Sequence, residues 1–470
     1  MSRAWDLVVE GGTVVTPSGR SVADLAVSGG RIAAVGDLAG HPAASGARIV
    51  DASGMVVVPG GVDVHTHLDM PFGSGRTADD FDSGSKAALF GGTTTIIDFA
   101  APKPGEPLRK GLEAWLAKAE GSSSVDFGFH MTMPRVTDKD LAEMASLVRE
   151  GVTSFKLFTA YPGRLMSGDG AIFRALRRSR DIGALVCVHA ENGPVIEALV
   201  GEALAAGHRA PRFHALTRPV EAEAEAAGRV IALAEMAGAP VYLVHLSSAA
   251  ALAEVRRGRK RGVRVLAETC PQYLCLDAEV YERPDFEAAK FVMSPPLRPK
   301  GNGARLWEAL AAGELQAVAT DHCSFFMKRR KGHPCKADGK DDFTRIPNGA
   351  PGIGARMLLL WDAVQKGRLT AERFVEVTAS GPARVFGLHP RKGNLAPGAD
   401  ADIVVIDPRK THTFTMENQH LNVDYDPYEN RTVHGEVRDV FLSGRPMILR
   451  GRFTGEAGGG RFLRRAPRDF

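Results

Sequence analysis

Two periodicities of apolar residues alternate along the middle of the chain. Short β-branched runs such as "TTTIIDF" and "VTSFKLF" are separated by stretches with helical spacing, such as "LEAWLAKAE" and "EAEAEAAGRVIALAEMAG". The runs end, in order, at His67, Asp98, His130, Lys156, His189, His245, Glu268 and Asp321. The first ends lie roughly 30 residues apart, the length of a βα unit, and two later gaps are longer. This pattern predicts an α/β fold, a (β/α)8 TIM barrel, whose active-site residues come from the C-terminal ends of its strands.

A doubly wound parallel sheet is the competing α/β architecture. No G-x-G-x-x-G opens a helix after the first strand, and no G-K-[ST] occurs in the chain. The barrel is therefore favoured, and nucleotide binding has no support in the sequence.

The two ends of the chain share a different texture. Residues 5–58 and the segment after residue 388 hold short strand-like runs broken by glycine-containing turns. We expect both ends to pair into one small β domain. The predicted division is a terminal domain of residues 1–55 plus 386–450, a barrel of residues 56–385, and a basic C-terminal tail of residues 451–470.

Composition and charge narrow the class of protein. The chain has 470 residues, 44% of them hydrophobic, and 59 Lys and Arg against 55 Asp and Glu. Its basic runs, "RRGRKRGVR" and "RFLRRAPRDF", are expected to be solvated faces, because the overall charge is nearly balanced. Five cysteines, an odd number, suit reduced thiols. With no apolar stretch of membrane-spanning length and no leader pattern, we expect a cytoplasmic protein that binds neither nucleic acid nor membrane.

Metal-binding side chains recur at the predicted strand ends. A single strand-end histidine is more often a packed, hydrogen-bonded residue than a ligand. The barrel, however, would direct all of these side chains to one site, and four imidazoles with a carboxylate suit a divalent transition metal. Alternation within "VDVHTHL" also puts two of the histidines on one face of a strand. The candidate ligands are His65, His67, Lys156, His189, His245 and Asp321.

Lys156 stands out because it interrupts an apolar strand, "VTSFKLF". An ammonium repels a cation, but a lysine whose pKa is lowered by burial can add carbon dioxide and become an anionic carbamate. Its two oxygens could each take one ion of a pair about 3.5–4 Å apart, the two-metal arrangement for hydrolysis. The alternative is a lysine that snorkels to solvent or pairs with a carboxylate.

Several motifs together resemble the dihydropyrimidinase and D-hydantoinase family of cyclic amidohydrolases. They are "GGVDVHTHLDMPF", "GGTTTIIDF", "SFKLFTAY", "VHAENG", "YLVHLSS", "FVMSPPLR", "TDHCSF" and "DDFTRIPNGAPGI", with "NVDYDPYEN" and "RFLRRA" near the end. The resemblance covers nearly the whole chain. It implies a metal-dependent barrel, a small β-sandwich built from both termini, and a homotetramer.

The resemblance also implies roles for individual residues. His65, His67 and Asp321 match the ligands of one metal, and His189 and His245 those of the other, with zinc as the expected ion and Lys156 as the N6-carboxylated bridge. Tyr161 matches a tyrosine that hydrogen-bonds the oxyanion, whereas Ser294 and Asn348 match residues that hold the ring amide. The alternatives are that Tyr161 caps a loop and that the other two are turn residues.

The implied activity is hydrolytic ring opening, as in pyrimidine catabolism. A metal-bridging hydroxide would convert dihydropyrimidines or 5-substituted hydantoins to N-carbamoyl amino acids, with Asp321 moving the proton. An allantoinase-like hydrolase of another cyclic amide and a non-catalytic scaffold homologue are the alternatives. The scaffold interpretation is disfavoured because all six ligand positions are filled.

Substrate preference is indicated by the residues directly after the His-x-His pair. Related enzymes that open carboxylate-bearing rings have an arginine there, where this chain has Leu68 and Asp69. Met70, Phe72 and residues 158–165 could form an apolar wall for a 5-substituent. Two departures from the family pattern are Gly354, where an acidic residue is usual, and the long basic segment 327–340.

Overall fold

The N-terminal part of the chain forms strands of a small mixed sheet. The computed structural model describes residues 4–468. The strands of this part are β1 (Leu7–Thr16), β2 (Gly19–Ser28), β3 (Arg31–Gly36), β4 (Arg48–Asp51) and β5 (Val56–Pro59). β1 pairs antiparallel with β2, and parallel with β4 and β5. The apolar run that ends at His67 begins at Val56, and its first residues, in β5, join this sheet and not the barrel.

The middle of the chain forms a parallel sheet of eight strands. They are β6 (Gly61–Thr66), β9 (Thr93–Ala100), β10 (Asp126–Thr132), β11 (Ser154–Phe158), β12 (Leu185–His189), β13 (Val241–Leu243), β14 (Val265–Thr269) and β15 (Ala317–Val318). A hairpin, β7 (Pro71–Phe72) and β8 (Gly75–Arg76), follows the first of these strands. The spatial order is β15-β14-β13-β12-β11-β10-β9-β6. Every residue of β9 and β10 is buried, as expected for strands covered by helices on the outside of a barrel.

Side chains join the first and last strands of the parallel sheet. The carboxylate of Asp63 in β6 accepts hydrogen bonds from the backbone N–H (3.0 Å) and hydroxyl (2.6 Å) of Thr320, just after β15. The buried guanidinium of Arg356 donates to the carbonyl oxygens of Val62 (3.3 Å) and Val318 (3.0 Å). These contacts bring the two edges together, and the predicted (β/α)8 barrel is confirmed.

Helices surround the barrel strands. They are α1 (Phe81–Phe90), α2 (Leu108–Ala119), α3 (Asp138–Arg149), α4 (Asp169–Asp181), α5 (Gly193–Ala205), α6 (Arg212–Leu216), α7 (Val220–Ala237), α8 (Ala249–Lys260), α9 (Pro271–Cys275), α10 (Asn302–Ala311), α11 (Arg356–Gln365), α12 (Ala371–Val375) and α13 (Gly381–Val385). The two stretches with helical spacing, "LEAWLAKAE" and "EAEAEAAGRVIALAEMAG", lie in α2 and α7 except for the last residue of each. The two long gaps hold α5 and α6, and α9 with short 3₁₀ helices. Among the described residues no helix has both the length and the apolar character needed to cross a membrane.

The C-terminal part returns to the small sheet with β16 (Ile403–Thr413), β17 (Thr432–Leu442), β18 (Arg445–Leu449) and β19 (Arg452–Phe453). The strand order is β19-β18-β17-β16-β5-β1-β2-β3, with β4 beside β1. The two halves of this sheet contact each other. The backbone N–H of Ala401, before β16, donates to the carbonyl oxygen of Gly30, between β2 and β3 (2.9 Å). A shared core of Leu25, Val27, Ile403 and Phe441 fills the space between them. The prediction of one small β domain from both termini is confirmed.

The end of the chain packs under the barrel. The carbonyl of Arg461 accepts from the backbone N–H of Phe127 in β10 (3.0 Å), and Leu463 N donates to Phe127 O (2.7 Å). Arg465 is buried and donates to the hydroxyl of Ser154 (2.9 Å) in β11. The expectation that the basic run "RFLRRAPRDF" is a solvated face is therefore wrong for Arg465, whose guanidinium is bound by groups that are distant in sequence.

Candidate metal centre

The six candidate ligands lie at one end of the barrel. His65 and Lys156 lie within β6 and β11, and His189 is the last residue of β12. His67, His245 and Asp321 follow the C-terminal ends of their strands by one to three residues. Parallel strands of a barrel present their C-terminal ends on the same face. The structure therefore brings together all the positions that the sequence singled out.

His65, His67 and Asp321 form the first group of donors. The Nε2 atoms of both histidines lie 3.1 Å from Oδ1 of Asp321. Donors that share one ion at about 2.0–2.1 Å are about 3 Å apart, so these three atoms are spaced as ligands of one metal. Burial raises the pKa of Asp321, but His65 and His67 outweigh this effect and hold that pKa below its usual value. The carboxylate is therefore ionised at neutral pH.

His189 and His245 form the second group. Nδ1 of His189 lies 2.9 Å from Nε2 of His245, which again suits two donors to one ion. Donor atoms of His65, His245 and Asp321 all lie within 4.8 Å of one another, so the two groups adjoin. Burial lowers the pKa of both His65 and His245 well below the usual value. Neutral imidazole is the form that binds a metal.

Lys156 lies between these groups and is only 1% exposed, so the snorkelling alternative is wrong. Its Nζ lies 4.7 Å from the ring centre of Phe99 and 5.1 Å from that of Phe158. Within residues 4–468 no carboxylate forms an ion pair with this amine. Burial lowers the pKa of Lys156 to about 8, which makes the neutral, nucleophilic amine accessible near neutral pH.

Two carboxylates support the histidines, and sequence reasoning did not select them as site residues. Glu268 Oε1 lies 2.5 Å from Nδ1 of His65, and Glu191 Oε2 lies 2.9 Å from Nε2 of His189. A carboxylate on the second ring nitrogen fixes the orientation of a metal-binding histidine. Two features of the sequence could have indicated them: Glu268 ends the seventh strand of the barrel, and Glu191 lies two residues after His189.

These contacts agree with the donor set of a divalent metal ion. In each of the two groups, a histidine nitrogen faces the donor atom of another residue in the same group. Imidazole nitrogens and carboxylate oxygens are the ligands that Zn²⁺ prefers in catalytic sites. The residues present therefore fit a metal centre.

Tyr161, Ser294 and Asn348 lie close to these donors and to one another. The ring of Tyr161 is 5.4 Å from that of His189, and the Asn348 side-chain amide donates to the hydroxyl of Ser294 (3.1 Å). Burial, with the nearby charge of Glu191, raises the pKa of Tyr161 to about 12. Its phenol is therefore protonated at neutral pH and can donate a hydrogen bond.

Backbone conformation marks the same site. Tyr161 (φ 63°), His245 (φ 42°) and Asp321 (φ 51°) all occupy the left-handed region, which residues other than glycine seldom adopt. Strained residues of this kind cluster at functional sites, where the surrounding structure holds them in place. The sequence carried no signal for these conformations.

The loop after β6 differs from a carboxylate-binding loop. Leu68 is buried, and the Asp69 carboxylate pairs with Arg76 (2.9 Å) and lies 3.5 Å from the Lys118 ammonium. Phe72 packs edge-on against Phe325, with ring centres 5.1 Å apart. The two cations of this region, Arg76 and Lys118, are therefore paired with Asp69.

Comparison with known proteins agrees with this geometry. Residues 56–447 match the model of the Amidohydrolase family. A D-hydantoinase of Streptomyces coelicolor is 49% identical over 98% of each chain, and a D-hydantoinase of Geobacillus stearothermophilus is 46% identical over 98% of this chain and 96% of its own. The crystal structure of a dihydropyrimidinase from Brevibacillus agri superposes with a TM-score of 0.95 at 46% identity, over 98% of this chain and 99% of that one.

The chain belongs to the amidohydrolase family, and within it to the dihydropyrimidinases and D-hydantoinases. The family expected from the sequence motifs is thereby confirmed.

Proposed function

We propose that the chain hydrolyses one amide bond of a cyclic amide, opening dihydropyrimidines or 5-substituted hydantoins to N-carbamoyl amino acids. The observation that carries this proposal is the convergence of six donor residues at the C-terminal end of the barrel. Relatives at 46–49% identity over nearly the whole chain have the name D-hydantoinase, which supports the same reaction.

We further propose two divalent ions, with zinc as the expected metal. His65, His67 and Asp321 would hold one ion, and His189 and His245 the other. Lys156, as the N6-carboxylated side chain, would supply an oxygen to each. When bound, such ions lower the pKa of a coordinated water and polarise a carbonyl oxygen.

The protein's own residues then have distinct tasks. Asp321, ionised at neutral pH, accepts a proton from the attacking water and delivers it to the ring nitrogen as the amide bond breaks. Tyr161 donates its phenolic hydrogen to the carbonyl oxygen, on which negative charge develops. Ser294 and Asn348 hold the ring amide through their backbone groups. The tasks of Asp321 and Tyr161 use the protonation states that the site favours.

The loops favour rings without a carboxylate. Asp69 occupies the neighbouring cations, so neither Arg76 nor Lys118 is free to form a charged pair with an acidic substrate. Met70, Phe72 and Phe158 supply apolar surface that suits a 5-substituent.

We propose a cytoplasmic homotetramer. The five cysteines are free thiols, which suits a reducing compartment. Helices α5 and α6 border a surface groove of about 280 Å³, lined in part by Leu199, Phe213 and Leu216. Leu216 is 65% exposed beside this groove, and we propose that a neighbouring subunit covers it.

The proposed function is tested by one parallel assay. Purified protein is offered dihydrouracil, hydantoin, 5-phenylhydantoin, allantoin and dihydroorotate, and the metal content is measured per chain. We expect ring opening of the first three substrates, none of dihydroorotate, and two metal ions per chain. Hydrolysis of allantoin alone would support the allantoinase-like alternative. Protein without bound metal and without activity would support the scaffold alternative.

A further inference from the structure

The basic segment 327–340 contains a lysine that is not at the surface. Lys336 is fully buried and opens the 3₁₀ helix Lys336–Gly339. Its Nζ donates to three carbonyl oxygens, those of Val292 (2.7 Å), Pro347 (2.8 Å) and Gly349 (2.7 Å). Burial lowers the pKa of Lys336 to about 7. The three carbonyl acceptors favour its ammonium form, because only that form carries three N–H donors.

The three carbonyls belong to two segments that adjoin the metal centre. Val292 precedes Ser294 by two residues, and Pro347 and Gly349 flank Asn348. The segments also bond directly, because Gly349 N donates to Val292 O (3.0 Å) and the Asn348 amide donates to the Ser294 hydroxyl (3.1 Å). Lys336 therefore completes a junction of three chain segments, its own and the two that carry Ser294 and Asn348, the residues assigned to the ring amide.

The same junction is tied to the strand end that carries Asp321. Cys323 N donates to Ala350 O (3.1 Å). Gly349 has φ 145°, and a β-carbon there would lie 2.4 Å from the Cys323 carbonyl oxygen, so the two segments approach too closely for any residue other than glycine. A shift of the segment around Asn348 would therefore change its position relative to Asp321.

We propose that Lys336 is a positioning residue, whose ammonium holds the segments of Ser294 and Asn348 together at the distance at which they bind the ring amide beside Asp321. This inference rests on the proposed function. It gives a role in substrate binding to one residue of a segment that otherwise has the character of an exposed, basic loop. Lys336 itself does not touch the substrate.

The test is a Lys336→Met variant, which retains most of the side-chain volume and removes all three donors. For hydantoin and dihydrouracil we expect KM to rise at least about tenfold while kcat falls less than about threefold, because the loss is in binding of the ring. Metal content per chain should equal that of the wild type. A role limited to stabilising the loop would lower the melting temperature and leave KM unchanged.

Two matched controls separate positioning from general destabilisation. Lys392 is another buried lysine, bonded to Asp126 (2.6 Å) and Asp402 (2.8 Å) where the terminal sheet meets the barrel. Lys392→Met should lower the melting temperature without raising KM. Lys340→Met, at an exposed position of the same basic segment, should change neither quantity.

The inference is overturned if Lys336→Met has the wild-type KM, or if Lys392→Met raises KM to the same extent. If Lys336→Met does not accumulate as folded protein, Lys336→Gln is measured instead. Its amide keeps two donors, so an intermediate KM supports the inference and a wild-type KM overturns it. Absence of ring-opening activity in the wild type would contradict the proposed function, which the same assay reports separately.

Discussion

Nδ1 of His65 lies 2.5 Å from a carboxylate oxygen of Glu268, deep inside the barrel. The other oxygen of Glu268 accepts a hydrogen bond from the hydroxyl of Tyr242 (2.8 Å). The contact between His65 and Glu268 leaves Nε2 of His65 directed at Asp321, 3.1 Å away. Glu268 thus determines which nitrogen of His65 is available to a metal, although it lies outside the ligand set.

Replacing Glu268 by Gln should weaken metal binding about 10- to 100-fold, because the amide retains the shape of the side chain but has one acceptor oxygen, whereas His65 and Tyr242 each contact one oxygen of Glu268. The measurement is metal retained per chain during titration with a chelator. Tyr242→Phe is the control: it removes the other contact of Glu268, leaves the bond to His65, and should have a smaller effect. Equal metal retention by Glu268→Gln and the wild type would contradict this role.

Asp321→Asn should retain most of the bound metal and lose at least about a hundredfold in turnover. An amide oxygen can still face the two Nε2 atoms that lie 3.1 Å from Oδ1, but it cannot accept and transfer a proton. The comparison requires kcat and metal content from the same preparation. Unchanged turnover would remove Asp321 from the proton-transfer step.

If Lys156 is the proposed bridge, Lys156→Ala should lack the proposed metal pair and should regain part of its activity when short carboxylic acids are added. Such acids can occupy the space of the proposed carbamate and supply two oxygens. Activity is measured against acetate or propionate concentration, with metal content in parallel. Asp321→Asn should not respond to the same acids. A full complement of metal in Lys156→Ala would contradict the bridging role.

The pattern of apolar and polar residues along the sequence was enough to predict the barrel and the residues at its strand ends. His67 and His189 could be selected because each ends a short apolar run, and strand ends of a barrel meet wherever the helices between them lie. Lys156 could be selected because a cation is costly inside such a run. These signals depend only on residues that are neighbours in sequence.

The supporting contacts depend on residues that are distant in sequence. Glu268 is a site residue because its carboxylate reaches His65, and Arg465 is buried because Ser154 and other groups of the barrel floor bind it. The residues around Lys336 have the composition of a surface loop, but three carbonyls from two other segments enclose its ammonium. No periodicity or charge count encodes such pairings, so they became visible only in the folded chain.

A buried carboxylate outside the donor set gives a prediction about pH. Asp426 is 5% exposed; one of its oxygens accepts a hydrogen bond from Tyr428 N (2.8 Å), and the other has no partner among the described residues. Burial raises the pKa of Asp426 from 3.8 to about 6. Between about pH 4 and pH 6 the folded chain therefore keeps a proton that the unfolded chain has released. The contribution of Asp426 to stability is full below this window and is lost as the pH rises through about 6.

Asp426→Asn should accordingly stabilise the protein at pH 8 and change it little at pH 4, with a difference of at most about 3 kcal/mol. The measurement is the melting temperature of both proteins, with metal, across this pH range. Asp424→Asn is the matched control, because the Asp424 carboxylate accepts hydrogen bonds from Met327 N (2.6 Å) and Lys328 N (3.0 Å) and its neutralisation should destabilise. An Asp426→Asn variant that melts at or below the wild-type temperature at pH 8 would show that the buried charge is compensated.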